Sequence, residues 1–124
     1  MANTLTGSAN ASLALGASTS GRRIDGNISL SVTSDLFSRN TQSIPTSATA
    51  LSLANLAGTT LGAYVIKNLD STNYVDILTN TSGVTILHVM PEMIATGYFP
   101  STITAPAAKS HTAACLLEYM ICGA

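Results

Sequence analysis

Hydrophobic and polar residues alternate with a period of two along most of this chain. Ile28, Leu30 and Val32 alternate with Asn, Ser and Thr over residues 27–33. This alternation is typical of a β-strand that buries one face. Further short runs predict strands over residues 63–68, 73–78, 84–90, 93–99, 103–108 and 113–122. No helical apolar stripe longer than two turns occurs, so the pattern predicts an all-β protein.

Turn residues separate these runs and set the expected pairing. Residues 69–72 (LDST) form a polar connector of hairpin length, so we predict that 63–68 and 73–78 pair as a β-hairpin. Pro91 ends the run 84–90, and Pro106 places 103–108 at a sheet edge, because proline cannot donate to a ladder. Short strands at this spacing predict an antiparallel β-sandwich.

The chain divides into an opening segment and one domain. Residues 1–20 are rich in Ala, Ser, Gly, Thr and Asn, and they predict an extended arm or a weak strand around Leu13 and Leu15. At 124 residues, the chain leaves 21–124 as a single β-sandwich domain. The last run, 113–122, is apolar on both faces, so we expect a central strand or a face that meets another subunit.

Composition changes this picture more than any motif. Only 9% of residues are Asp, Glu, Lys or Arg and 46% are hydrophobic, whereas an ordinary domain is about 25% charged. Apolar surface must therefore be covered by a membrane or by protein. The apolar runs are too short to span a bilayer, and a net charge of −1 argues against nucleic acid. We expect an assembly subunit covered by protein.

Candidate chemistry is sparse. His88 is expected as a half-buried strand residue and His111 as a solvated one, and no spacing indicates a metal, a cofactor or an enzyme. Asp70, Thr72, Asn73 and Asp76 contain oxygen ligands suited to calcium, but the same residues are common in turns.

Aromatic residues and cysteines give two further expectations. Tyr98 and Phe99 are the one aromatic pair that suits a carbohydrate platform, although packing is the favoured interpretation. Cys115 and Cys122 lie seven apart on one strand, which predicts two free thiols and synthesis in a reducing cytoplasm. The first residues lack the features of a secretory signal.

Two stretches resemble small structural proteins of tailed bacteriophages. They are residues 64–77 (YVIKNLDSTNYVDI) and residues 108–121 (AKSHTAACLLEYMI), and residues 41–44 (TQSI) fit the pattern that precedes them. The resemblance implies a virion component with a jelly-roll-like sandwich. The leading hypothesis is a capsid decoration, or cement, protein on the capsid surface, made in the host cytoplasm. Its expected partners are itself, as a homotrimer, and the major capsid protein.

Contact residues and rival functions complete the predictions. The residues expected at interfaces are Leu116, Glu118 and Met120 of the last strand, Tyr98 and Phe99, and Leu13 and Leu15 of the opening segment. A tail, collar or fibre component that contacts the host surface is the first alternative. A carbohydrate-binding β-sandwich module is the second.

Overall fold

Two four-stranded antiparallel sheets stack face to face in the computed structural model, which describes residues 3–12, 23–32 and 36–124, with side chains from 36 onward. The strands are β1 (Asn3–Ser12), β2 (Arg23–Val32), β3 (Phe37–Ile44), β4 (Thr49–Ala50), β5 (Leu61–Asn68), β6 (Val75–Leu78), β7 (Thr85–Val89), β8 (Ile94–Tyr98), β9 (Ala107–Ser110) and β10 (Cys115–Gly123). A 3₁₀ turn, Ala54–Leu56, follows β4. The predicted all-β antiparallel β-sandwich is confirmed.

The order of the strands is that of a jelly roll. Sheet I runs β3-β10-β5-β8 and sheet II runs β4-β9-β6-β7. In sheet I, β3 therefore pairs with β10 and β5 pairs with β8; in sheet II, β4 pairs with β9 and β6 pairs with β7. The first strand of the sandwich is thus paired with the last, the second with the next-to-last, and the same order holds for the remaining strands. This double Greek-key arrangement is the jelly roll expected from the resemblance.

The core lies between the two sheets and is built by alternate residues of each strand. Along β10, Cys115, Leu117, Tyr119 and Ile121 are buried, and the residues between them face outward as the period of two requires. The other large side chains of this cluster are Ile44, Leu51, Leu53, Leu56, Leu61, Ile66, Val75, Ile77, Val89, Phe99 and Ile103. β10 lies between β3 and β5, so the prediction of a central last strand is confirmed.

The predicted hairpin of β5 with β6 is wrong. β5 pairs with β10 and β8 in sheet I, whereas β6 pairs with β7 and β9 in sheet II. Their connector crosses from one sheet to the other, and hydrogen bonds of the Asn68 side chain stabilise the connector. Asn68 Nδ2 donates to the carbonyls of Asn73 at 2.8 Å and Val89 at 3.0 Å, and Val89 belongs to sheet II. The side chain therefore bonds to the opposite sheet at the point where a hairpin would turn back.

Two further differences concern the edges. β3 was not predicted, because its inward side chains include Ser38, Asn40 and Gln42, so that no apolar alternation marks it. β9 was expected at an edge because of Pro106, but it lies between β4 and β6. Pro106 precedes the strand, and its carbonyl accepts a hydrogen bond from Leu51 N at 3.0 Å. Because Pro106 lies before the strand, its missing N–H removes no hydrogen bond from the β9 ladder.

β1 of the opening segment pairs with β2. β1 and β2 pair antiparallel from Asn3 with Val32 to Ser12 with Arg23, as a separate two-stranded sheet. β2 was predicted within the sandwich, but among the described residues it pairs with β1 alone and with no strand of the sandwich. Leu13 and Leu15, around which a weak strand was expected, lie outside the described residues.

Candidate assembly surface

The outer face of sheet I contains the three β10 residues that the sequence predicted for an interface. Leu116, Glu118 and Met120 alternate with the buried residues of β10 and point away from the core. Leu116 is 48% exposed, while Glu118 and Met120 are partly exposed. These three residues lie on the outer face of sheet I; their contact with a partner remains a prediction.

Leu116 belongs to an exposed apolar cluster at one end of this face. The N–H of Leu69 donates to the Leu116 carbonyl at 2.9 Å. This bond places Leu69 and Leu116 side by side, with exposures of 41% and 48%. We call these two residues the Leu116 patch. A contiguous exposed apolar cluster on a chain so poor in charge is typical of a surface that another protein covers.

Charged residues border the patch along the middle of the sheet. Glu118 lies opposite Lys67 of β5 and Thr41 of β3, and its carboxylate lies 3.9 Å from the Arg39 guanidinium. Together with Met120, Arg39, Lys67 and Glu118 line a shallow depression of about 200 Å³. Both members of the Arg39–Glu118 pair are solvent-exposed, so the pair contributes little to stability. It provides polar groups beside apolar ones, as at the rim of an interface.

The Tyr98–Phe99 pair does not form an exposed platform. Tyr98 faces outward on β8 and is 51% exposed, whereas Phe99 is 5% exposed. The Phe99 ring packs against Tyr64 in the core, with centroids 4.7 Å apart. The prediction of Phe99 as an interface residue is therefore corrected, because successive residues of an extended chain point to opposite sides.

The outer face of sheet II carries a polar and aromatic cluster that sequence reasoning missed. His88 Nδ1 contacts the carboxylate of Asp76, its cross-strand neighbour. Tyr74 stacks on His111 at 4.6 Å and meets His88 edge-on at 5.6 Å. Lys109 of β9 is the other cross-strand neighbour of Asp76, on the side of β6 away from β7. His88 is thus an exposed residue rather than the predicted half-buried one, and only the register of β9, β6 and β7 could have brought these residues together.

The oxygen-rich residues 70–76 serve the turn. Asp70 Oδ1 accepts hydrogen bonds from the N–H groups of Thr72 at 2.7 Å and Asn73 at 2.6 Å. These two backbone bonds hold the pKa of the Asp70 carboxyl below its usual value. Asp76 lies apart from this turn on β6. No group of three or more His, Cys, Asp or Glu within the described residues is placed to hold a metal ion.

Both cysteines are free and buried, as predicted. Burial is the main cause that raises the pKa of the Cys115 and Cys122 thiols. In the part of the chain that the structure describes, no helix has the length and apolar character needed to cross a bilayer.

Comparison with known proteins returns no similarity. No family model, no curated protein and no solved structure matches this chain at a significant level. The jelly-roll fold by itself does not decide between functions, since the same architecture occurs in viral capsid and lectin domains. The surface residues must therefore carry the functional argument.

Proposed function

We propose that this protein is a structural component of a bacteriophage virion, a decoration protein that self-associates and binds the major capsid protein at the capsid surface. The observation that carries the proposal is the exposed Leu116 patch on a chain with 9% charged residues. The resemblance of residues 64–77 and 108–121 to small phage structural proteins points in the same direction.

Physical magnitudes support a shell-binding role. Covering a Leu side chain is worth about 1.5–3 kcal/mol when the whole side chain is exposed, and both members of the Leu116 patch are a little under half exposed. One such patch gives a modest contact. An oligomer that presents several copies to a repeating shell multiplies the effect, because each later contact forms at high effective concentration. A charge-poor surface is also typical of the buried centre of permanent interfaces.

Co-sedimentation with capsids tests this function. Shells that lack the protein are mixed with purified wild type, pelleted and assayed for bound chain. We expect saturable binding, and we expect Leu116→Lys to weaken it at least about tenfold, since the variant removes an apolar contact and places a charge in it. Thr81→Lys, at an exposed position in the turn between β6 and β7 of sheet II, is the matched control. Absence of wild-type protein from the pellet at every stoichiometry would reject the proposal.

A second candidate function is ligand binding on sheet II. The cleft of about 440 Å³ beside Tyr74, Lys109 and His111 combines a stacked aromatic pair with polar groups, a combination found in carbohydrate sites. A tail or fibre component that recognises a host glycan would use such a cleft. A glycan array with a clear hit that Tyr74→Ala removes would favour this candidate over decoration.

A further inference from the structure

The cleft on the outer face of sheet II combines an acid, a base and two aromatic rings. Tyr74, Asp76, Lys109 and His111 line it, and its volume is about 440 Å³. The strand register brings these groups together, because Asp76 of β6 lies between His88 of β7 and Lys109 of β9. The chemistry of each group indicates the class of ligand that the cleft accepts.

Asp76 supplies a fixed hydrogen-bond acceptor. The residue is 9% exposed, and its Oδ1 contacts His88 Nδ1. Among the described residues, no group donates to the second oxygen, Oδ2. Thr96 Oγ1 is the one fully buried side-chain polar atom without a partner in that part of the chain, so Oδ2 of Asp76 is accessible. Because Asp76 lines the cleft, this oxygen is an unpartnered acceptor on a carboxylate that is nine-tenths buried, where polar groups normally have partners.

Lys109 supplies a hydrogen-bond donor beside this acceptor. Lys109 and Asp76 are directly opposite in the ladder, and the Cβ atoms of such pairs lie about 4.5–5.5 Å apart. The Lys109 ammonium forms no ion pair with a carboxylate of the described residues. Its three N–H donors and the Asp76 oxygen are therefore both available to a ligand in the cleft.

Tyr74 and His111 supply a flat surface next to these polar groups. Their rings stack with centroids 4.6 Å apart and an interplanar angle of 15°. The His88 ring meets Tyr74 edge-on at 5.6 Å and supports it from the side. His111 is exposed, so the outer face of the stacked pair is open to a ligand. Aromatic surface with a few placed polar groups is typical of small-ligand sites.

The turn that holds His111 is strained and firmly fixed. The His111 N–H donates to the Tyr74 carbonyl at 3.1 Å. Thr112 has a φ of 59°, which is unusual for a β-branched residue. Its hydroxyl contacts Asn73 Oδ1 in the neighbouring turn. Strained residues persist where the surrounding structure fixes them, and they are frequent at ligand sites.

We propose that this cleft binds a neutral saccharide through two adjacent hydroxyl groups. One hydroxyl donates to Asp76 Oδ2, and the next accepts from the Lys109 ammonium, since each sugar hydroxyl can donate and accept. The apolar face of the sugar ring lies on the outer face of the Tyr74–His111 pair.

The charges of the cleft select against charged ligands. An acidic sugar that is held by Lys109 meets the Asp76 carboxylate, and an amino sugar that is held by Asp76 meets Lys109 and His88. Like charges brought together oppose binding. A neutral diol satisfies the acceptor and the donor without adding a charge beside either of them.

This inference rests on the second candidate function, ligand binding on sheet II, and deepens it by naming the class of ligand. The cleft and Leu116 lie on opposite outer faces of the sandwich. A copy that attaches to a shell through sheet I therefore leaves the cleft open to solution. Saccharide binding does not depend on the capsid, so it can be measured on the free chain.

An array of multivalent neutral, acidic and amino sugars tests the class of ligand on the full chain. We expect saturable binding of at least one neutral sugar, and binding at least about tenfold weaker when a carboxylate or an amine is added to it. Binding confined to acidic or amino sugars would overturn the inference and leave ligand binding on sheet II in place. The absence of any bound sugar would overturn both, while co-sedimentation with shells would still test decoration.

The position of the site is tested with the bound neutral sugar and Lys109→Met, which keeps an apolar stem and removes the donor. We expect the dissociation constant, measured by titration calorimetry, to rise at least about tenfold. Lys67→Met removes the other lysine of the chain, on the outer face of sheet I, and is the matched control. Equal losses in the two variants would overturn the assignment.

Backbone amide shifts of the wild-type chain give a readout that needs no variant. Titration with the same sugar should move the resonances of residues 74–76 and 109–112 most. Shifts that centre on sheet I instead would overturn the proposal even if Lys109→Met does not fold.

Discussion

Asn68 Nδ2 donates to the Val89 carbonyl across the sandwich at 3.0 Å, so that β5 of sheet I is tied to β7 of sheet II by one buried amide. The same amide donates to the Asn73 carbonyl at 2.8 Å, and its Oδ1 accepts from Asp70 N at 2.9 Å. Asn68 itself is fully buried. One side chain therefore satisfies three backbone groups where the chain passes between the sheets.

Asn68→Ala is expected to lower the free energy of unfolding by about 2–4 kcal/mol, because it leaves buried carbonyls without a donor. Urea denaturation followed by circular dichroism measures the loss. Asn80→Ala, at an exposed turn, is the matched control and should cost less than about 1 kcal/mol. Equal losses in the two variants would contradict the role given to Asn68.

The Tyr119 hydroxyl is a second buried polar group with a specific task. It lies 2.8 Å from both Gln42 Oε1 and the Ser52 carbonyl, and so connects β10 to β3 and to the loop after β4. Burial raises the pKa of this phenol. We expect Tyr119→Phe to cost about 1–2 kcal/mol in urea denaturation. Tyr74→Phe, whose hydroxyl has no described partner, should cost less than about 0.5 kcal/mol; a larger loss for Tyr74→Phe than for Tyr119→Phe would count against the assignment.

Gly97 makes room for the ring of Tyr64. A Cβ added at Gly97 would lie 3.0 Å from the Tyr64 hydroxyl oxygen and 3.2 Å from Cζ. Gly97→Ala is therefore expected to cost about 1–3 kcal/mol by overpacking, measured as a shift of the thermal midpoint. Tyr64→Phe removes the nearest atom, so Gly97→Ala should cost less in that background. Additive losses in the double variant would show that the two residues do not interact.

The pH dependence of stability should reflect Asp70. Its folded-state pKa is lowered by hydrogen bonds from the backbone of Asn73 and Thr72. The carboxylate therefore stabilises the fold above the unfolded pKa, near 4, and this contribution is lost as the pH falls through the lower folded value. Asp70→Asn keeps the turn acceptor but cannot titrate. We expect the stability difference between wild type and Asp70→Asn to shrink from pH 6 toward pH 2.5; a constant difference would contradict this origin.

The sequence pattern predicted the strands whose inward residues are apolar and missed the strand whose inward residues are mostly polar. The strand over residues 113–122 was predicted from its apolar residues, and the structure shows that Leu117 and Tyr119 point inward and Leu116 outward. β3 was missed because Asn40 and Gln42 face inward, where Gln42 bonds to Tyr119. Such a strand has no hydrophobic signal, and only its partner on β10 explains its side chains.

The connection between β5 and β6 and the residues of the candidate surfaces also depend on contacts that the sequence pattern does not show. Residues 69–72 have the composition of a hairpin turn, but the buried Asn68 directs the chain into the other sheet, and composition cannot distinguish the two outcomes. Leu116 was predicted as an interface residue, whereas its neighbour Leu69 is brought beside it by a backbone hydrogen bond between the two residues. Phe99 was wrongly predicted at an interface together with Tyr98, because the sequence of two adjacent aromatic residues does not show which of them is buried.

The central claim is that protein covers the apolar surface of this charge-poor chain. Sedimentation velocity of the wild-type chain over a wide concentration range, with and without capsid shells, tests it most directly. We expect a concentration-dependent shift from 12.7 kDa to an oligomer, and transfer of the oligomer to the shell fraction. A single monomeric species at every concentration, unchanged by shells, would contradict the account.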